Sequence, residues 1–329
     1  MRVPALSVSD VSLLIDTRIK QLSLPAHPAL LYEPMRYILS LGGKRLRPLL
    51  ALMTLNLFSD DIEEAVLPAL SLEVFHNFTL VHDDIMDKAP MRRGKETVHI
   101  KWDNNVAILS GDAMLVKAYQ LLEQVPQEKL PYLLSAFNKT ALEVCEGQQF
   151  DMDFENRSLD KNIVSEAEYM AMISLKTAVL FGLSFQLGGI LGAQDENIVE
   201  QLYNAGVHLG LAFQLQDDLL DLYGGENFGK QVGGDILNAK KTFLLVKALE
   251  LAEQNDYQNI ISIMANNNQP AEEKIEAIRV LYDRYQIKEL AQDKIELHLS
   301  DFQKAISSIN SSRTKSLLDF VNSLANRAV

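Results

Sequence analysis

Asp83-Asp84-Ile85-Met86-Asp87 and Asp217-Asp218-Leu219-Leu220-Asp221 repeat one D-D-x-x-D spacing in two distant parts of the chain. Both follow apolar runs, residues 69–81 and 209–215, so each motif is expected at the end of a helix. On a helix the outer acids of each set, four apart, share a face, and the middle acid stands beside them. Like charges this close raise one another's pKa and oppose compaction unless a cation lies among them; oxygen-only clusters suit hard cations, Mg2+ first. Mg2+ takes one or two carboxylates together with substrate phosphates. Two clusters therefore imply a phosphorylated ligand held through metal ions. A single copy would be read as a solvated helix face, but acids embedded in two apolar runs need partners.

The 329 residues are 47% apolar and 23% charged, enough for a large core. A formal net charge of -13 argues against a nucleic-acid partner, since phosphate-backbone affinity needs a basic surface. Cys145, the one cysteine, excludes an internal disulfide and fits a reducing, cytoplasmic setting; it is expected as a small buried apolar residue. Pro4, Ser7, Ser9 and Asp10 interrupt any signal-like run. The longest apolar stretch, residues 178–193, is too short to span a membrane and is expected as a helix buried on all sides, its glycines explained by close packing.

Helical periodicity begins after a Ser9/Asp10 cap, resumes over residues 30–39, and follows Gly42-Gly43-Lys44-Arg45-Leu46-Arg47-Pro48 through residue 57. Glycines ahead of basic residues at a helix start suit an anion. Residues 61–87 read as one long helix that also carries Glu73, His76 and His82; a polar segment, 88–105, holds Arg92-Arg93-Gly94. Further helices are expected over 106–124, 131–150, 165–192 and 196–222, and strand-like alternation is scarce. Lys176-Thr177 lies inside the third of these helices, and Gln214 shares a face with Asp217, Asp218 and Asp221. The glycine-rich loop 224–235 carries Lys230, with Lys240-Lys241 just beyond, all within reach of a bound anion. Gly224, Gly229 and Lys230 almost fit a P-loop, but Gln231 stands where Ser or Thr must bind Mg2+, and a helix precedes where a strand is required.

The ordered set of these motifs, together with Gly147-Gln148 and Phe228-Gly229-Lys230, resembles the trans-isoprenyl diphosphate (polyprenyl) synthases of the short-chain farnesyl and geranylgeranyl group, over nearly the whole length. The resemblance implies an all-α, single-domain isoprenoid-synthase-type helical bundle over residues 1–329, with a central cavity and both Asp motifs on facing helices at its mouth, and usually a homodimer. It implies that Asp83, Asp87 and Asp217 lead the coordination of three Mg2+ ions on an allylic diphosphate, with Asp84, Asp218 and Asp221 in supporting roles. Arg92, Lys176, Lys230 and Lys240, with Thr177 and Gln214, match the groups that hold that diphosphate. Lys44, Arg47, His76 and Arg93 match those that bind isopentenyl diphosphate. Phe78 and Thr79, five and four residues before the first Asp, match the positions that set product length and suggest a C20 product. The first motif lacks the two-residue insertion of many bacterial farnesyl synthases, which weakens a C15 assignment.

Other readings compete. An HD-type phosphohydrolase would use His82-Asp83 and His76, but the six histidines show no matching spacing and the second Asp set would go unexplained. A terpene cyclase would lack the basic residues matching an isopentenyl diphosphate site. A noncatalytic subunit of a heteromeric synthase is expected to have lost an Asp motif.

Overall fold

The structure, a computed structural model, describes residues 6–160, 163–224, 232–266 and 268–325. It is built from helices: among the described residues the only strands are Met91–Arg92 and Lys95–Glu96, so the all-α expectation holds. The chain contacts separate it into two compact units, one comprising residues 1–137, 183–203 and 309–320, the other 138–182, 204–308 and 321–329.

The first unit is arranged round α4 (Val66–Met86), which a short 3-10 turn, Glu63–Ala65, introduces in place of the continuous helix expected from residue 61. α4 is buried on nearly every side through Leu70, Leu72, Val74, Phe75 and Val81, the pattern of a central helix. Each such side chain contributes about 1.5–3 kcal/mol by leaving water. Its largest packing partner is α6 (Asn104–Leu122), with α1 (Val8–Lys20), α2 (Ala29–Ser40) and α3 (Leu46–Leu55) on the remaining sides. The cap of α1 lies two residues before the Ser9/Asp10 cap expected from sequence. Ser7 is the cap, because its hydroxyl accepts the Asp10 N–H at 3.1 Å while Asp10 reaches back to the Ser7 N–H at 3.3 Å. The polar stretch after α4 contains a hairpin and one helical turn, α5 (Val98–Lys101).

α7 (Leu130–Glu155) runs five residues past the expected end, since Phe154 enters the second unit's core and Asp151 finds a cationic partner. Cys145 on this helix is exposed, against expectation: one apolar residue does not decide which face of a half-exposed helix turns inward. Partial burial and Glu146 push its thiol pKa up, the opposite of the shift that activates a thiolate.

In the second unit α8 (Glu166–Ile173) passes through a π-helical turn, Ser174–Ala178, into α9 (Val179–Leu191), whose residues from 183 onward belong to the first unit. This stretch, Glu166–Leu191, is long and apolar enough to cross a membrane, yet Leu180, Phe181, Phe185 and Leu187 are buried inside the protein. Close packing does account for glycine here: a Cβ on Gly188 would stand 2.6 Å from the Ala51 carbonyl. α10 (Glu196–Tyr223) leads past the short α11 (Gly234–Leu237) to α12 (Phe243–Leu251), α13 (Gln254–Ala265), α14 (Ala271–Arg284) and α15 (Ile287–Ser307). Tyr169, Leu215, Leu219, Phe243, Ile260, Ile278 and Tyr282 form the core of this unit. α16 (Thr314–Ala325) ends the described chain.

Candidate active site

In the first unit the end of α4 divides its acids by direction. Asp87 is the exposed C-cap and Asp83 keeps 18% of its side chain accessible, whereas Asp84, one residue on and about 100° round the helix, is 1% exposed. Arg92 holds Asp84: its Nε lies 2.8 and 3.0 Å from the two carboxylate oxygens and one terminal nitrogen is 2.7 Å from Oδ1. The same terminal nitrogen is 3.8 Å from Asp83. Burial pushes the Asp84 pKa up against the pull of Arg92, while Arg92, despite its own burial, is held more firmly protonated by Asp84, Asp83 and Asp87.

Arg92 and Arg93 part company at a tight hairpin. Met91 pairs with Glu96 and Arg92 with Lys95, leaving Arg93-Gly94 as a two-residue turn with φ of 52° and 72°. Positive φ at both positions is the type I′ turn, which suits the twist of a hairpin and favours glycine second. Arg92 thus turns to Asp84, and Arg93 donates to the Gly42 carbonyl. Lys44 is exposed and Arg47 half-buried on the neighbouring segment that starts α3. Burial, and then Arg47, Arg93, Arg92 and Arg45, drive the His76 pKa well below its ordinary value. A neutral imidazole acted on by four guanidinium groups suits a multiply charged anion.

Phe78 is 9% exposed, in tilted contact with Phe75 and edge-on to His82; Thr79 donates to the His76 carbonyl at 2.8 Å. His82 itself contacts the Ile108 carbonyl at 3.1 Å.

The second unit arranges its own motif differently. Asp217 and Asp221 are half-buried on α10, and Asp218 is 5% exposed. Three neutral donors hold Asp218: the Tyr169 hydroxyl, the Phe243 backbone N–H at 3.1 Å and the Gln214 amide at 3.0 Å. Thr177 donates to Gln214 at 3.0 Å, so Thr177, Gln214 and Asp218 form one chain of hydrogen bonds. Burial pushes the Asp218 pKa up to about 6, opposed by those three donors and reinforced by Asp217; burial and Asp218 in turn keep Tyr169 protonated as a donor. Asp221 accepts the Asp235 N–H at 3.0 Å, tying α10 to the far side of the glycine-rich loop. Lys176 pairs with Asp151 at 2.5 Å. A Cβ on Gly147 would collide with the Lys176 backbone, which explains why glycine faces that turn. Lys240 is half-buried just past α11, and Lys241 donates to the Glu155 carbonyl at 2.8 Å. Lys230 and most of its loop lie outside the described residues.

Sequence reasoning missed Asp151 and Tyr169, and gave no part to Glu73 or Arg45. Glu73, an acid inside the apolar run before the first motif, carried a readable signal; Tyr169 carried none. The outward acids of each unit, Asp83 and Asp87 in the first and Asp217 and Asp221 in the second, offer carboxylate oxygens only, a donor type that fits Mg2+. Among the described residues no group of three or more His, Cys, Asp or Glu side chains is arranged to hold a metal ion by itself.

The sequence profile of the polyprenyl synthetase family matches residues 28–281. A geranylgeranyl pyrophosphate synthase of Geoglobus acetivorans is 40% identical over 245 residues, 74% of this chain and 76% of that one. A geranylgeranyl diphosphate synthase of Sulfolobus acidocaldarius is 38% identical over 291 residues, 87% and 86% of the two chains. A crystal structure of a geranylgeranyl pyrophosphate synthase superposes with a TM-score of 0.92 at 43% identity, covering 98% of this chain and 99% of that one. With the profile match spanning most of its length, the chain belongs to the polyprenyl synthetase family.

Proposed function

We propose that this chain is a prenyltransferase that joins isopentenyl diphosphate head-to-tail to allylic diphosphates and releases geranylgeranyl diphosphate, C20. The observation that carries the reading is His76, kept neutral among Arg47, Arg92 and Arg93 within two turns of Asp83. An anion site beside outward carboxylates suits a second diphosphate bound without metal next to one bound through metal.

In this reading Lys44, Arg47, His76 and Arg93 hold isopentenyl diphosphate. Asp83, Asp87 and Asp217 lead the binding of three Mg2+ ions, supported by Asp84, Asp218 and Asp221. When bound, Mg2+ neutralises charge that develops on the allylic diphosphate as its C–O bond breaks. Arg92, Lys176, Lys230 and Lys240 add positive charge to that diphosphate, and Thr177 with Gln214 orients it. Asp84 and Asp218 serve indirectly, the first by fixing Arg92 and the second by fixing Gln214. Apolar surroundings keep water from the carbocation until the isopentenyl double bond attacks it, and a proton then passes to the departed diphosphate to leave a new double bond.

Phe78, with Thr79 beside it, limits the product to C20; the geranylgeranyl synthases among its relatives support this over a farnesyl (C15) product. The retained acids of both motifs, with Lys44, Arg47, Arg92 and Arg93, speak against a noncatalytic subunit. A homodimer is supported by exposed apolar side chains on α6, namely Ile108, Leu109 and Val116. We place the enzyme in the cytoplasm, where a thiol without a partner stays reduced.

Mass spectrometry of products from C5, C10 and C15 allylic diphosphates with isopentenyl diphosphate and Mg2+ tests the reading. C20 from all three is expected, and Phe78→Ala should lengthen it. Absence of product from every starter would overturn the enzyme assignment; a C15 product would overturn only the chain length.

A further inference from the structure

The segment that opens α3 is held in an unusual shape. Gly42, Gly43 and Arg45 all have positive φ, at 76°, 132° and 48°. Glycine adopts such values freely, but arginine does so at a cost, which persists only where surroundings over-determine it. Six non-glycine residues among those described have positive φ, and two of them, Arg45 and Arg93, lie on segments that the Arg93–Gly42 hydrogen bond joins.

What holds Arg45 is buried. Its side chain turns away from solvent and is 6% exposed as a residue, although it stands between exposed Lys44 and half-buried Arg47. One terminal nitrogen is 2.7 Å from Glu73, itself 2% exposed, and the other donates to the Leu39 carbonyl at the end of α2. Asn77, fully buried one turn beyond Glu73, donates to the Glu73 carboxylate at 3.0 Å and to the Glu73 carbonyl at 2.8 Å. The Arg45 carbonyl meanwhile accepts the Leu49 N–H at 3.1 Å and so starts α3. One side chain therefore links the end of α2, the middle of α4 and the start of α3. Glu73 lies three residues before His76, and its charge acts on Arg93 as well.

Buried ion pairs are poor sources of stability; an apolar pair of similar volume does as well or better. Their use is to specify one geometry. We propose that Arg45, Glu73 and Asn77 are positioning residues for isopentenyl diphosphate: they lock the left-handed Gly42–Arg45 turn so that Lys44 and Arg47 are presented beside His76 and Arg93. The inference rests on the assignment of that subsite above. None of the three touches the substrate.

The test compares Glu73→Gln, the apolar double variant Arg45→Met/Glu73→Met, and Arg47→Ala, measuring KM for each substrate and the melting temperature. Glu73→Gln should raise KM for isopentenyl diphosphate roughly tenfold or more, leave KM for the allylic diphosphate unchanged, and lower the melting temperature. The double variant should regain the melting temperature but not the KM. Recovery of both would make the pair merely structural and overturn the proposal, as would an equal rise in both KM values. If Glu73→Gln does not fold, the double variant decides alone. Arg47→Ala separates the two levels of argument: if it leaves KM for isopentenyl diphosphate unchanged, the subsite reading itself is wrong.

Discussion

The two D-D-x-x-D motifs share a spacing and a plan but not a chemistry. Each turns its outer acids toward accessible space and buries its middle acid. Asp84 is held by a cation, Arg92, whereas Asp218 is held by a hydroxyl, an amide and a backbone N–H. The first arrangement fixes an arginine beside Asp83, an outer acid of the motif. The second fixes a chain of neutral groups ending at Thr177, and leaves a carboxylate that resists ionisation. A sequence motif therefore specifies which acids face outward, while the partner of the inward acid is a separate choice that gives each half its own electrostatics.

The largest expected effect breaks what the motifs share. Asp83→Ala and Asp217→Ala should each reduce turnover by at least about a hundredfold with little change in melting temperature, because each removes a ligand and not packing. Steady-state kinetics beside a thermal melt checks this, and normal turnover in either variant would remove that acid from the site.

Changing the middle acids should separate the motifs. Asp84→Asn leaves the mostly buried Arg92 without its countercharge and should cost about 3 kcal/mol. Asp218→Asn keeps an oxygen for the neutral donors and should cost about 1–2 kcal/mol. Urea unfolding of both variants measures the difference, and equal costs would mean that the two partners are equivalent.

A smaller effect lies in pH. Asp218, with a folded pKa of about 6 against an ordinary 3.8, binds more protons folded than unfolded between those values, so its contribution to stability falls as pH rises through that window. In metal-free protein the advantage of the parent over Asp218→Asn should grow on acidification from pH 7 to pH 4. Glu168 has the opposite sign. Its folded pKa of about 2, set by the Ser165 backbone N–H and Arg157, gives stability present above 4.5 and lost as pH falls through 2. Glu168→Gln should therefore weaken the protein slightly at neutral pH and flatten its acid unfolding, as a pH series of melts would show.

Much of this was legible in the residues. Apolar periodicity located the long helices because each buries one or more continuous faces, and the D-D-x-x-D spacing alone aligned Asp83 with Asp87. The hairpin at Arg92 escaped notice since two-residue strands leave no alternation to read, although Arg93-Gly94 is turn chemistry. Arg45 stood in a basic cluster with no role of its own; only the fold reveals that Glu73 draws it inward. The exposure of Cys145 and the part of Tyr169 depend on which helix faces meet, and no local pattern encodes that.

The π-helical turn at Ser174–Ala178 fits one residue more than an α-helix would into the same length. Lys176 and Thr177 sit on that extra winding, above the space that Gly147 leaves open. In the language of insertions and deletions, the helix can lose one residue there and keep its flanking faces in phase. Such a deletion should be tolerated as a fold while displacing the lysine and threonine, so the turn marks a point where function and architecture can be edited separately.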